Sequence, residues 1–211
     1  METIFNVDFT TPALLNLVKI RSLLKHTNAI LEVGAYEGRT SCWMLKNMLS
    51  ETGSITCIDP FLRLDCEPFS LSVEKNKLQD EDERKHRFLT NTSLSKKSLQ
   101  TVRLLEGRSY QMLSKLIQED ATFDFIYIDG NHTVEAVISD AIMSFGLLKT
   151  GGIMLFDDYL LDPKVNWFYQ NQPDDIDNSV KLAVDYFLHM FKKHVEFIPL
   201  KNSYQLAVLK K

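Results

Sequence analysis

Nothing in this 211-residue chain approaches the ~18 consecutive apolar residues that a membrane span requires. A leader is missing too: Met1 to Thr10 carries acids at Glu2 and Asp8 and no basic head followed by an apolar run, so no secretory signal is expected. Positive charge is not in excess. The 24 Lys and Arg face 28 Asp and Glu, a formal net charge of −4, whereas proteins that hold a phosphate backbone concentrate Lys and Arg on one face. Neither nucleic acid nor membrane is an expected partner; a small molecule is. Cysteine is scarce and odd in number, and two of Cys42, Cys57 and Cys66 fall in apolar stretches, where a buried thiol acts as a small hydrophobe. They read as reduced thiols of a cytoplasmic protein. The Asn-x-Ser/Thr triplets at Asn91 and Asn131 are then chance matches, because glycosylation needs a secretory route. Internal repeats and low-complexity tracts are missing as well, which argues against a solenoid.

What is present is enough apolar material, 45% of the residues, for one well-buried core, so residues 1–211 are expected to form one domain. A homo-oligomer stays open. Apolar, strand-length runs recur at Ala29 to Val33, Ser54 to Ile58, Val102 to Leu105, Phe123 to Ile128 and Ile153 to Phe156. Between them Arg39 to Leu49, Ser109 to Gln118 and Val134 to Leu148 repeat apolar residues at three- and four-residue steps, which predicts helices long enough for crossovers. After the fifth run come a Pro- and Asp-rich loop, Leu161 to Asp177, and a helix, Ser179 to Lys192. Two strands, Val195 to Pro199 and Tyr204 to Leu209, are then separated only by Leu200 to Ser203, too short for a parallel crossover. The expected fold is α/β, doubly wound, with a mostly parallel seven-stranded sheet ending in an antiparallel hairpin. The stretch 62–90 is the least regular, and its mixed charges allow either a solvated helical face or a lid over the site.

The strongest local signal is the run Ile30-Leu31-Glu32-Val33-Gly34-Ala35-Tyr36-Glu37-Gly38-Arg39-Thr40-Ser41. A strand enters Gly34, and a helix begins near Gly38. The GxGxxG of dinucleotide sites fails at Tyr36, and there is no Walker A loop. Glycine at Gly34 is expected to let the backbone approach a ligand, Gly38 to let the helix start pack against the strand, and free backbone N–H groups to face the bound molecule. An acid at Glu32 suits a cationic ligand and would repel a phosphate. A tight structural turn with an incidental acid is the other reading.

Downstream, Ile55-Thr56-Cys57-Ile58-Asp59-Pro60 places a carboxylate where the second strand stops, about twenty residues beyond Gly38, the spacing at which an acid in βαβ folds meets a ribose. Capping of the next turn is the alternative. Gly107 and Ser109 end the third strand in the same way, as a ligand contact or as a cap of the following helix. The fourth strand ends Ile128-Asp129-Gly130-Asn131-His132 and the fifth Leu155-Phe156-Asp157-Asp158-Tyr159. Ligands gather at the carboxyl ends of parallel strands. Acids converging there repel one another unless a cation neutralises them, and such oxygen ligands suit Mg²⁺, Ca²⁺ or Mn²⁺.

The ExGxxxG spacing at Glu32, Gly34 and Gly38 resembles motif I of the class I S-adenosylmethionine (SAM)-dependent methyltransferases. The run IDGNH, a helix, and LLKTGGIMLFDDY resemble the macrocin- and novobiocin-type sugar O-methyltransferases and, more distantly, the catechol and caffeoyl-CoA O-methyltransferases; the resemblance covers roughly Ala29 to Tyr159. It implies a SAM site at Glu32, Gly34, Ala35, Tyr36, Gly38, Ser41, Asp59, Gly107, Ser109 and Asp129, with Gly107 and Ser109 beside the adenine. It also implies a divalent metal, Mg²⁺ by ligand chemistry, on Asp129, Asp157 and Asp158, and a small hydroxylated acceptor. One departure stands out. Relatives often carry Asp, the proposed general base, where this chain has Asn131, which cannot accept a proton at neutral pH. His132 titrates in the right range and is the substitute candidate, with capping of the helix or a hydrogen bond to a loop carbonyl as its other reading. Trp167, Phe168 and Tyr169 are candidates for the acceptor wall or for plain core cover.

Overall fold

The computed structural model describes residues 2–6, 10, 13–61, 81–160, 180–200 and 204–211. Cys66, the 62–80 part of the expected lid and the Trp167, Phe168 and Tyr169 group lie outside the described residues. The elements run α1 (Leu14–Leu23), β1 (Ala29–Val33), α2 (Arg39–Asn47), β2 (Ser54–Asp59), α3 (Glu81–Ser95), β3 (Thr101–Glu106), α4 (Ser109–Gln118), β4 (Phe123–Ile128), α5 (Val134–Leu147), β5 (Leu148–Phe156), α6 (Val180–Phe191), β6 (Val195–Ile198) and β7 (Leu206–Lys210). No helix among the described residues is long and apolar enough to cross a membrane.

The seven strands form one sheet in the order β3-β2-β1-β4-β5-β7-β6. The pairs β2–β3, β1–β2, β1–β4 and β4–β5 are parallel. The last two strands are antiparallel, as the short connection predicts, and β7 inserts between β5 and β6, pairing Leu155 with Ala207 and Phe197 with Val208. Strand order reverses between β1 and β4. Their carboxyl ends, where the helical connections leave on opposite sides, therefore open the crevice in which such sheets bind ligands.

Alternation along the strands feeds two cores. Leu31, Val33, Ile126, Ile128, Met154 and Phe156 pack under α4, α5 and α6, while Ile30, Ile55, Cys57, Phe125, Tyr127 and Leu155 pack under α1, α2 and α3. Neighbouring residues thus point to opposite faces, the period of a strand buried on both sides.

Several boundaries differ from expectation. β5 begins at Leu148, five positions before Ile153, because the chain pairs with Phe123 and resumes its register only after a shift between Phe123 and Phe125. α1 was not expected. Its sequence is apolar around most of its circumference, so no amphipathic period marks it, yet Leu17 and Ile20 are fully buried. The mixed charges at 81–90 belong to α3, which packs Phe88 inward.

Candidate active site

Four amides of the β1–α2 turn, those of Gly34, Ala35, Tyr36 and Gly38, have partners within the protein. Gly34 N–H donates to the Ile58 carbonyl at 2.9 Å and Gly38 N–H to that of Ala35 at 2.8 Å. Asp59 Oδ2 accepts from Ala35 N at 2.9 Å and Tyr36 N at 2.7 Å, and Oδ1 from Phe61 N at 2.7 Å. Of the N–H groups expected to face a ligand, Asp59 takes those of Ala35 and Tyr36 and backbone carbonyls take those of Gly34 and Gly38, while Gly38, the N-cap of α2, gives the first turn of that helix no side-chain cap. Asp59 thereby ties the turn after β1 to the end of β2. Burial pushes its carboxyl above the ordinary range against the pull of those N–H groups.

The two glycines of the turn also lie against other parts of the chain. Gly34 has φ +88°, and a Cβ there would lie 1.8 Å from the Asp129 carbonyl oxygen, so the space is taken by the end of β4. Gly38, at φ +77°, would bring a Cβ within 2.9 Å of the Phe88 ring on α3; its close neighbour is a helix and not the strand. Behind the turn, buried Glu37 accepts from Asn6 N at 2.7 Å and pairs with Arg87 at 2.5 Å, and Asn91 donates to the Glu37 carbonyl at 3.1 Å. Arg84 stacks over the Tyr36 ring at 5.5 Å.

Glu32 is 1% exposed, bonded to the Ser41 hydroxyl and, at 3.6 Å, to the Cys57 thiol. Burial first, opposed by those two bonds, pushes its carboxyl to about 8. Glu32 and Ser41 therefore meet each other beneath the turn, with the acid largely neutral near pH 7. At the end of β3, Gly107 has φ +151° and its N–H donates to the Asp59 carbonyl at 3.2 Å. Ser109 is the first residue of α4; the N-cap is Arg108, which supplies no side-chain cap. The capping reading of Ser109 is thus set aside.

At β4 and β5 the acids do converge. Asp157 N–H still pairs with the Ile128 carbonyl at 3.0 Å, but β5 has ended at Phe156, and Asp158 turns into the left-handed region at φ +54°. That turn lets the adjacent acids serve different partners. Asp158 Oδ2 lies 3.1 Å from His132 Nε2, and one ligand atom from each of Asp129, His132 and Asp158 falls within 4.8 Å of the others. Asp157 is instead held by the Tyr127 hydroxyl at 2.7 Å and Gln205 Nε2 at 2.7 Å. Burial, and then the charges of Asp157 and Asp158, push Asp129 well above the usual carboxylate range. Burial and then Asp158 raise Asp157 to about 6, and burial raises Asp158 to about 6. Two carboxylates and an imidazole that close make a donor set a small divalent cation fits, since its charge offsets both the desolvation and the repulsion.

Asn131 is occupied locally: its Oδ1 accepts from Thr133 N at 2.9 Å, and Thr133 is the N-cap of α5. The capping reading of His132 is therefore set aside too. Tyr127, Gln205, Glu37 and Arg84 were missed in the sequence. No spacing signals them, because their partners lie on other elements; Gln205, for example, meets Asp157 across 48 positions.

Comparisons with known proteins agree with this geometry. No curated protein sequence matches the chain. Among solved structures, a Staphylococcus aureus protein provisionally assigned as a caffeoyl-CoA O-methyltransferase superposes with a TM-score of 0.62 at 20% identity, covering 99% of this chain and 86% of the other. The O-methyltransferase TomG of Streptomyces achromogenes, in complex with SAM, gives 0.62 at 19%, covering 97% and 82%. A Bacillus cereus O-methyltransferase in complex with S-adenosylhomocysteine gives 0.59 at 17%, covering 97% and 83%. The sequence profile of the methyltransferase domain matches residues 31–159, more than half of the chain and the stretch that builds the β1 turn and the acid cluster, so the protein belongs to the methyltransferase-domain family, on the fold it shares with these O-methyltransferases.

Proposed function

We propose that the chain is a divalent-cation-assisted O-methyltransferase acting on a small hydroxylated acceptor such as a sugar or a catechol-like compound. The observation that carries this reading is the approach of Asp129, His132 and Asp158 to within 4.8 Å at the carboxyl end of the sheet. These three side chains would hold the cation, which when bound supplies charge that lowers the pKa of an acceptor hydroxyl. Asp157, held by Tyr127 and Gln205, adds negative charge beside that set. The resemblance assigns the SAM site to Glu32 to Ser41, Asp59, Gly107 and Ser109. The turn that Asp59 and Glu37 brace would hold the cofactor against β1 and β4. In the reaction the acceptor oxygen forms a bond to the methyl carbon as the carbon–sulfur bond breaks, giving a methyl ether and S-adenosylhomocysteine, and the hydroxyl proton passes to solvent water. Since the sulfonium is already activated, the chain's main contribution is alignment of oxygen, carbon and sulfur. Reduced, buried Cys42 and Cys57 suit a cytoplasmic enzyme.

A second reading rests on the His132–Asp158 contact at 3.1 Å. Without a cation, Asp158 orients the imidazole and His132 accepts the hydroxyl proton. Turnover of labelled SAM with a panel of small hydroxylated acceptors, titrated with Mg²⁺ and with EDTA, separates the two. Methyl transfer that requires Mg²⁺ supports the first reading; full activity in EDTA that disappears in His132→Asn supports the second; turnover with no acceptor counts against both.

A further inference from the structure

We propose that Gln205 is a positioning residue for the acid cluster, and that Asn16 on α1 supplies the donor that keeps the NH₂ end of the Gln205 amide on Asp157. The inference rests on the cluster being the functional centre, as argued above. Asn16 is 0% exposed, Tyr127 1% and Gln205 3%, so each polar atom must find its partner within the chain. Gln205 Nε2 donates to Asp157 Oδ1 at 2.7 Å and reaches the Tyr127 hydroxyl at 3.3 Å. The single Tyr127 hydroxyl proton goes to Asp157 Oδ2 at 2.7 Å, so Gln205 is the donor to the Tyr127 oxygen as well. Its own carbonyl, Oε1, accepts from Asn16 Nδ2 at 2.9 Å.

The chain of bonds has one workable polarity. A reversed Gln205 amide would set its carbonyl oxygen against the Asp157 carboxylate and its NH₂ group against that of Asn16. With the observed polarity both Asp157 oxygens are held, one by Gln205 and one by Tyr127, and the carboxyl cannot rotate freely beside Asp129. Four elements contribute: α1, β4, the end of β5 and the residue leading into β7. The N-terminal helix and the C-terminal hairpin thus act on the carboxyl ends of the central strands through side chains that never reach the ligand crevice.

The test uses two variants of the full chain. Gln205→Leu removes the donor. Asn16→Asp replaces a donor by an acceptor, which draws the Gln205 NH₂ group away from Asp157. Mn²⁺ affinity is read by electron paramagnetic resonance, SAM affinity by calorimetry, and the Asp157 carboxyl orientation from crystal structures. Asp157 itself stands behind the Asp129, His132 and Asp158 set, and groups so placed typically change metal affinity about 10- to 100-fold when lost. Both variants turn Asp157 without removing it, so they are expected to lose Mn²⁺ affinity by about tenfold at most, to keep SAM affinity within about twofold, and to show the Asp157 carboxyl turned from its wild-type position. Wild-type Mn²⁺ affinity with Asp157 unmoved in both would overturn the proposal. If Gln205→Leu does not fold, Asn16→Asp decides alone. Should wild type itself bind no Mn²⁺, the cation reading falls, and the Asp157 orientation in the variants decides the positioning role by itself.

Discussion

A methyl group at position 34 would meet the Asp129 carbonyl oxygen at 1.8 Å, from a backbone held at φ +88°. Both the strain and the collision are with protein atoms, so Gly34→Ala is expected to cost roughly 3 kcal/mol or more in a urea melt, with SAM binding lost only as the fold is lost. A variant of native stability that no longer binds SAM would restore the ligand-clearance explanation. Asp59 is the opposite case, a side chain whose acceptors matter more than its shape. Asp59→Ala strands the Ala35, Tyr36 and Phe61 N–H groups that it satisfies, and each hydrogen bond to a charged acceptor is worth about 1.5–3 kcal/mol. Asp59→Asn keeps one oxygen for the first two and should lose less stability and less SAM affinity than Ala; equal losses would mean that charge at the ribose, not support of the turn, dominates. Glu32 makes stability depend on pH. Its folded value of about 8 against an ordinary 4.5 means that the native state holds a proton the unfolded chain releases. Its contribution is therefore complete below pH 4.5 and is lost as pH rises toward about 8. Glu32→Gln should flatten the fall of the melting midpoint across that window, and an unchanged slope would assign the fall to other groups.

At the scale of elements, the end of α5 is tied to the hairpin by one lysine. Lys210 on β7 donates to the carbonyls of Phe145 at 2.8 Å and Leu148 at 2.6 Å and lies 4.6 Å from the Phe145 ring centre. Burial lowers its pKa, yet the carbonyl acceptors hold the charged form where α5 passes into β5. Lys210→Met keeps the stem and removes the donor, and should cost about 1–3 kcal/mol in denaturant unfolding; a loss near zero would show that water replaces the ammonium. Elements of this kind were unevenly legible. β1 and β4 were readable to the residue because strands buried on both faces are mostly apolar runs, Ala29 to Val33 and Phe123 to Ile128, each holding a single acid, Glu32 or Asp124, and each closed by a turn. The antiparallel hairpin was readable because its connection is too short for anything else. α1 was not, because Leu14 to Leu23 has no polar face to mark a period. The site divided similarly. Asp129 and the Asp157–Asp158 pair announce themselves at strand ends, but that Asp158 turns to His132 while Asp157 turns to Tyr127 and Gln205 depends on a left-handed residue and on contacts from β4 and from the residue leading into β7. Local sequence carries no record of either.

For the whole molecule, the acid cluster is a liability that a cation would remove. Asp157 and Asp158 both rise to about 6 from 3.8 because burial penalises their charged forms, with Asp158 adding to the shift at Asp157. Without a cation the protein should therefore lose stability as pH rises from 3.8 through about 6, where the unfolded chain has released protons that the folded cluster retains. Above that window the folded chain carries crowded charge whose cost only a bound cation offsets. Asp158→Asn removes one charge while leaving an amide able to bond His132, so in EDTA at neutral pH its melting midpoint should lie a few degrees above that of wild type. Mg²⁺ should reverse the order. A ligand at a hundred times its dissociation constant stabilises by about 2.7 kcal/mol, which for a chain of this size shifts the midpoint by several degrees. Wild type should rise by that amount and Asp158→Asn should barely respond, since one of its three ligand atoms has lost its charge. Differential scanning calorimetry of both proteins with EDTA and with Mg²⁺ reads all four states. Equal responses to Mg²⁺ would place the cation elsewhere, while a variant that is more stable in EDTA, beside a wild type indifferent to Mg²⁺, would leave the acids as a strained site that works through the His132–Asp158 pair alone.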